Sequence, residues 1–187
     1  MRYEIPYDEG IWFPAPAQFP TEEWPDETSW ADALVDEFEV DLGALDDDAR
    51  AAVREFALLA RAQRTPLATE CLLFCPRSVP SLGVVQIFIG EHDGGPVDLD
   101  HESADDERAL LPPTVIEFSS DHLGMGRRAA IVLPSSDPSI AAGRLNYVFD
   151  TGAVVVAVNG TTDSARDAGL MAPFLDELVR GIRVEAA

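Results

Sequence analysis

The sequence predicts an α+β fold: a mostly antiparallel meander sheet of about six strands, with two N-terminal helices and one C-terminal helix packed on it. Two observations carry this. Apolar residues recur at helical spacing from Trp30 to Gln63, then change to β-rich runs from Leu67 onward. Those runs come in successive pairs joined by short turn-rich links, the pattern of hairpins rather than of βαβ units. At 187 residues with 47% hydrophobic content, the chain fits one domain, 1–187, able to bury a sizeable core.

The elements follow in order. Residues 1–27 form an extended arm, because Pro6, Pro14, Pro16, Pro20 and Pro25 forbid a long helix. Trp12, Phe13, Phe19 and Trp24 alternate with those prolines and suit an arm laid on the domain, with a short strand near 10–13. Thr28 or Ser29 is placed to cap a helix in which Trp30, Leu34 and Phe38 recur four apart, and Gly43 stops it. A second helix opens with Asp46, Asp47 and Asp48, which complement its N-terminal dipole, and ends before Pro66.

Strands at 67–75 and 82–89 flank a turn containing Pro76, Ser78, Pro80 and Ser81. The acidic segment 91–107 reads as a solvated loop. Strands at 114–118 and 128–133 pair around residues 119–127. The clearest hairpin joins 145–149 to 153–158 through Asp150-Thr151-Gly152. A last helix spans about 172–180, where Pro173 suits a first turn and argues against one helix running from Asp163.

Charge narrows the partners. The chain has no lysine, 13 Arg, 34 Asp plus Glu, and a formal net charge of −21. Fifteen of those acids lie between Arg2 and Arg50 with no basic residue among them, and eight more lie from Glu91 to Glu107. Such a chain repels phosphate backbones and anionic lipid, so nucleic acid and membrane are excluded as partners and a basic protein is favoured. Asp32, Asp36, Glu37 and Glu39 on the first helix are the candidate partner-binding residues. A purely solvating acidic face is the competing reading. Arginine in place of lysine and abundant alanine fit a GC-rich, actinobacterial type of genome better than a halophile, since residues 53–90 hold only Glu55 and Glu70. No apolar h-region opens the chain and no run reaches ~18 apolar residues, so a cytoplasmic location is expected. Oligomeric state is left open by the sequence.

Candidate sites are few. Residues 119–128, Ser-Ser-Asp-His-Leu-Gly-Met-Gly-Arg-Arg, combine glycines with a paired arginine, so His122, Arg127 and Arg128 are the candidate ligand-binding residues for an anion or small molecule. A hydrolase-like use of the same loop is the alternative function. Against both stands a plain hairpin whose glycines serve the backbone and whose arginines neutralise nearby acids. No Gly-x-Ser-x-Gly motif is present, and no catalytic residue is assigned. His92-Asp93 and Asp98-Leu99-Asp100-His101-Glu102 lack the spacing of a calcium or zinc loop, so no metal or cofactor is expected. Lysine's absence rules out Schiff-base and P-loop chemistry. Cys71 and Cys75, four apart on a strand, are too distant to bridge and read as buried thiols.

The C-terminal two-thirds resembles the Mog1/PsbP-like group of small α/β/α domains. The resemblance rests on the hairpin at 145–158, the link at 159–169 and the helix-to-tail sequence Phe174-Leu-Asp-Glu-Leu-Val-Arg-Gly-Ile-Arg-Val184. Trp12-Phe13-Pro14 matches an aromatic-Pro entry found in such families. The resemblance implies a meandering sheet between helices and a non-catalytic binding or accessory role; it assigns no functional residue.

Overall fold

The structure, a computed structural model, describes residues 1–77, 81–92, 94–135, 137 and 139–185, the side chains of 41 and 42 excepted. Ser78 and Pro80 of the expected turn, and Asp93 of the acidic segment, lie outside the described residues. The chain runs β1 (Arg2–Glu4), β2 (Trp12–Pro14), α1 (Glu27–Leu42), α2 (Asp47–Ala62), β3 (Glu70–Phe74), β4 (Gly83–Glu91), α3 (Leu99–Ala104), β5 (Thr114–Ser120), β6 (Gly124–Pro134), β7 (Ala141–Asp150), β8 (Val154–Thr162), α4 (Ala165–Gly181) and β9 (Arg183–Glu185). It is an α+β fold. Seven strands form one antiparallel sheet in the order β2-β3-β4-β8-β7-β6-β5, and β1 pairs with β9 in a separate ribbon. Two meanders, β2-β3-β4 and β5-β6-β7-β8, are thus joined edge to edge where β4 pairs β8 from Gly83↔Thr162 to Glu91↔Val154.

Strand alternation divides the sheet into two faces. One face carries Trp12, Leu72, Phe74, Val85, Ile87, Tyr147, Phe149, Val156 and Val158, and α4 covers it with Met171, Leu175, Leu178 and Val179. The other carries Phe13, Cys71, Leu73 and Val84 under α1 and α2, which contribute Trp30, Ala31, Leu34, Ala57 and Ala60. Further along that second face, Ala129, Ile131 and Leu133 of β6 are covered by the segment around α3, including Ala109. Burial pushes the Cys71 thiol up to about 11 and the Cys75 thiol up to about 12, so both are inert at neutral pH.

Three local expectations change. The cap of α1 is Asp26, not Thr28 or Ser29: its carboxylate accepts from the Ser29 backbone N–H at 2.8 Å, and the Asp26 N–H donates back to the Ser29 hydroxyl at 3.3 Å. The acidic segment is not all loop, because Asp98 caps the short α3 by accepting from the His101 N–H at 3.1 Å. Helix α4 runs continuously through Pro173. Ser164 caps it seven residues earlier than expected, and its buried stripe begins at Ala168. Pro173 and Gly169, whose carbonyl the missing N–H would have met, are both exposed, so that carbonyl is open to solvent while packing of the buried stripe holds the helix. The short strand expected near 10–13 in the arm is present as β2 and forms an edge of the sheet, where Trp12 pairs Phe74 and Phe13 pairs Leu73.

Behind α3, Asp106 receives Arg144 at 2.7 Å and Arg108 at 2.9 Å, with only 6% of its side chain exposed. The hydrogen bond from Arg108 is the main cause that holds its carboxyl below the usual range, and Arg144 adds to it. A depressed native pKa stabilises the fold at pH above the unfolded value of ~3.9 and ceases to do so as pH falls through the native value. Asp106→Asn should therefore cost roughly 1–3 kcal/mol at neutral pH. Urea midpoints followed down to pH 3 should show the gap between wild type and variant closing on acidification; a constant gap contradicts the assignment.

Candidate functional site

The acidic face of α1 is built by the stripe that buries Trp30, Leu34 and Val35, which turns the acids away from the sheet. Three of the four candidates there meet arginines. Asp32 pairs with Arg54, Glu37 with Arg77 at 3.1 Å, and Glu39 with Arg50 at 2.6 Å. Asp36 is exposed and makes no ion pair among the described residues. Among the described residues, arginines of α2 and the β3–β4 link thus pair with four of the fifteen acids of the first block, Glu27 being the fourth.

Residues 119–128 contain a three-residue turn, 121–123, closed by Gly124 at φ 80. The Ser120 hydroxyl accepts from the backbone of His122 and Leu123, both at 3.3 Å, and donates to the Arg180 carbonyl at 3.2 Å. Leu123 is buried in the core, which pins the turn. His122 is exposed, and its Nε2 accepts from Arg183 at 3.3 Å. The arginines belong to β6 and, being consecutive, emerge on opposite faces. Arg127 meets Asp100 and, at 3.8 Å, Glu117. Arg128 donates to both Asp176 oxygens at 2.9 and 3.1 Å, and Asp176 also accepts from the Tyr147 hydroxyl at 2.6 Å. Gly126 serves packing, since a Cβ there would sit 2.5 Å from the Phe149 ring and from the Val148 carbonyl. His122, Arg127 and Arg128 are therefore not brought together on one centre.

His92 is occupied structurally, whereas His101 lies exposed on α3. His92 Nδ1 accepts from the Gly94 N–H at 2.8 Å, leaving Nε2–H to donate to Asp150 at 3.2 Å. Among the described residues, no three His, Cys, Asp or Glu side chains gather as a metal-binding group.

A cleft of about 380 Å³ lies where no single stretch of sequence announced it, between residues 6–12 and the C-terminal half of α4. The β1–β9 ribbon and the ion pair of Arg183 with Glu4 at 3.0 Å bring the arm across the end of α4. Pro6 seats against Gly181, where a Cβ would lie 3.0 Å from its ring. Asp8 then turns the chain: its Oδ1 accepts from Gly10 N–H at 2.8 Å, and its carbonyl accepts from Ile11 and Trp12 at 3.0 and 2.9 Å. The turn delivers Trp12 against Phe74, ring centroids 5.2 Å apart, and Phe74 in turn meets Phe174 at 5.6 Å. Tyr7, Asp8, Trp12, Phe174 and Glu177 line the resulting space. Burial pushes the Tyr7 phenol up, and the charges of Glu9, Glu70 and Glu23 add to the shift, so three further carboxylates lie within electrostatic reach. Aromatic residues beside acids in the arm, Tyr7-Asp8-Glu9 and Trp12, were the available signal; their helical partners are more than 160 residues away.

Among the described residues no helix is long and apolar enough to cross a membrane. No protein-family model, no curated protein and no solved structure matches this chain.

Proposed function

We propose that the chain is a cytoplasmic, non-catalytic interaction or accessory module that binds a basic protein partner. The observation that carries this is the disposition of its cations. Among the described residues, nine of the 13 arginines are seen in ion pairs within the chain, namely 50, 54, 61, 77, 108, 127, 128, 144 and 183. Thirteen cations against 34 carboxylates leave a large surplus of negative charge directed outward. Such a field speeds encounter with a basic surface and opposes nucleic acid. Helices on both faces of an antiparallel sheet also support the Mog1/PsbP-like reading, whose implication is an accessory role.

Titration with a defined basic peptide, acetylated and amidated (Gly-Arg)3-Gly, tests the reading. Saturable one-to-one binding should weaken steeply with added salt, as counterion screening requires. Weak uptake that never saturates would instead mark the acidity as a solvating surface.

A further inference from the structure

We propose that the cleft between the N-terminal arm and α4 is the anchor point for that partner and receives an arginine side chain from it. The inference rests on the interaction-module reading and names the place where the contact is made.

Three features of the cleft select this occupant. Its volume of about 380 Å³ lies at the small end of ligand pockets, enough for one long side chain and its flanking backbone. Its walls are aromatic and aliphatic: Tyr7 and Phe174 present ring surface, while Ile11 and Leu178 offer apolar contact for a methylene stem. Its polar groups are carboxylates, Asp8 from the arm and Glu177 from α4, and neither makes an ion pair among the described residues. A planar guanidinium stacks on aromatic faces and accepts bidentate carboxylate contact, which a rounder ammonium satisfies less completely.

The cations of this chain that lie nearby do not fill the role. Arg183 is held by Glu4 and His122, Arg180 sits 4.7 Å over the Phe118 ring, and Arg77, which flanks Gly10, reaches Glu37. An anionic or phosphorylated ligand would meet Asp8 and Glu177 with like charge, and a neutral apolar ligand would leave those carboxylates desolvated without a partner. The cleft is complementary to an organic cation.

The experiment compares two double variants of equal charge change with the (Gly-Arg)3-Gly peptide as probe, read by calorimetry and by amide NMR. Asp8→Asn with Glu177→Gln neutralises the cleft; Asn keeps the Oδ1 that accepts from Gly10, so the turn is preserved. Glu55→Gln with Asp163→Asn, both exposed and outside the cleft lining, is the control. The cleft pair should weaken binding about tenfold, the size expected for a lost charge-assisted contact, and the control pair far less. The citrulline version of the peptide, neutral but isosteric, should bind no better to wild type than the arginine peptide binds to the cleft variant. Amide signals of Tyr7 and Gly181 should move on saturation.

If both double variants weaken binding equally, or those amides stay still while wild type saturates, the cleft assignment is overturned and the interaction module stands. If wild type shows no saturable binding at all, both fall.

Discussion

Trp30→Ala should lower the stability of the protein by about 3–5 kcal/mol, the usual cost of removing a fully buried aromatic side chain. The indole is 0% exposed at the centre of the cluster between α1, α2 and the sheet, with the Phe13 and Phe19 rings 6.1 and 6.4 Å away. Its Nε1–H also donates to the Pro14 carbonyl at 2.8 Å, which ties the helix layer to the last residue of strand β2. Alanine would leave both a cavity and a carbonyl without its partner. Trp30→Phe separates the two contributions, because it keeps most of the apolar volume and loses only the hydrogen bond; roughly 1–2 kcal/mol is expected. Urea unfolding of the three proteins gives both differences. A loss below about 1 kcal/mol for the alanine variant contradicts the packing of α1 against the sheet.

The same residues explain how much of the molecule was legible beforehand. Trp30, Leu34 and Phe38 mark α1 by spacing alone, since helix formation is local and its buried face writes itself into the sequence every three or four residues. The hairpin through Asp150-Thr151-Gly152 is equally local, and Gly152 has the positive φ, 80, that such a turn needs. What escaped is non-local. No pattern in β4 or β8 names the other as its neighbour, so the joining of two meanders was invisible. Strands β1 and β9 are three residues long, a length at which alternation carries no signal. Helix α3 lay hidden because acids suggest solvent rather than structure, although Asp98 was a capping signal at the right place.

Candidate sites suffered from the same limit in a sharper form. Arg127 and Arg128 look like a pair on paper, yet a strand points neighbours in opposite directions, and the extra strand residues from Gly124 onward were enough to separate them. On α1, the acids lie off the buried stripe that the spacing marks, but their arginine partners come from a second helix and from the β3–β4 link, whose alignment no local pattern fixes. The cleft illustrates the converse. Tyr7 and Asp8 acquire chemical meaning only when Phe174 and Glu177 arrive from the far end of the chain.

Asp176→Ala should cost about 2–4 kcal/mol, below the 3–5 typical of a fully buried pair because Arg128 and Asp176 side chains retain 24% and 17% exposure. The carboxylate is the acceptor for two groups from the sheet at once: the Arg128 guanidinium, and the hydroxyl of Tyr147, a residue with no exposed surface. Burial, followed by the bond and charge of Asp176, pushes that phenol far above its ordinary pKa, so it is always the donor. Removing Asp176 strands a cation and a hydroxyl beneath α4; removing Arg128 alone strands the carboxylate. Arg128→Met should therefore be destabilising by itself, and the double variant should be less destabilised than the two single effects combined, with a coupling of about 1–3 kcal/mol. Asp176→Asn, which still accepts from Tyr147, should fall between wild type and the alanine variant. A coupling near zero would mean that Arg128 faces solvent as an independent charge, and would return it to the pool of groups available to bind an anion. A strong coupling assigns Arg128 to holding α4 on the sheet, and with α4 the wall that carries Phe174 and Glu177 into the cleft.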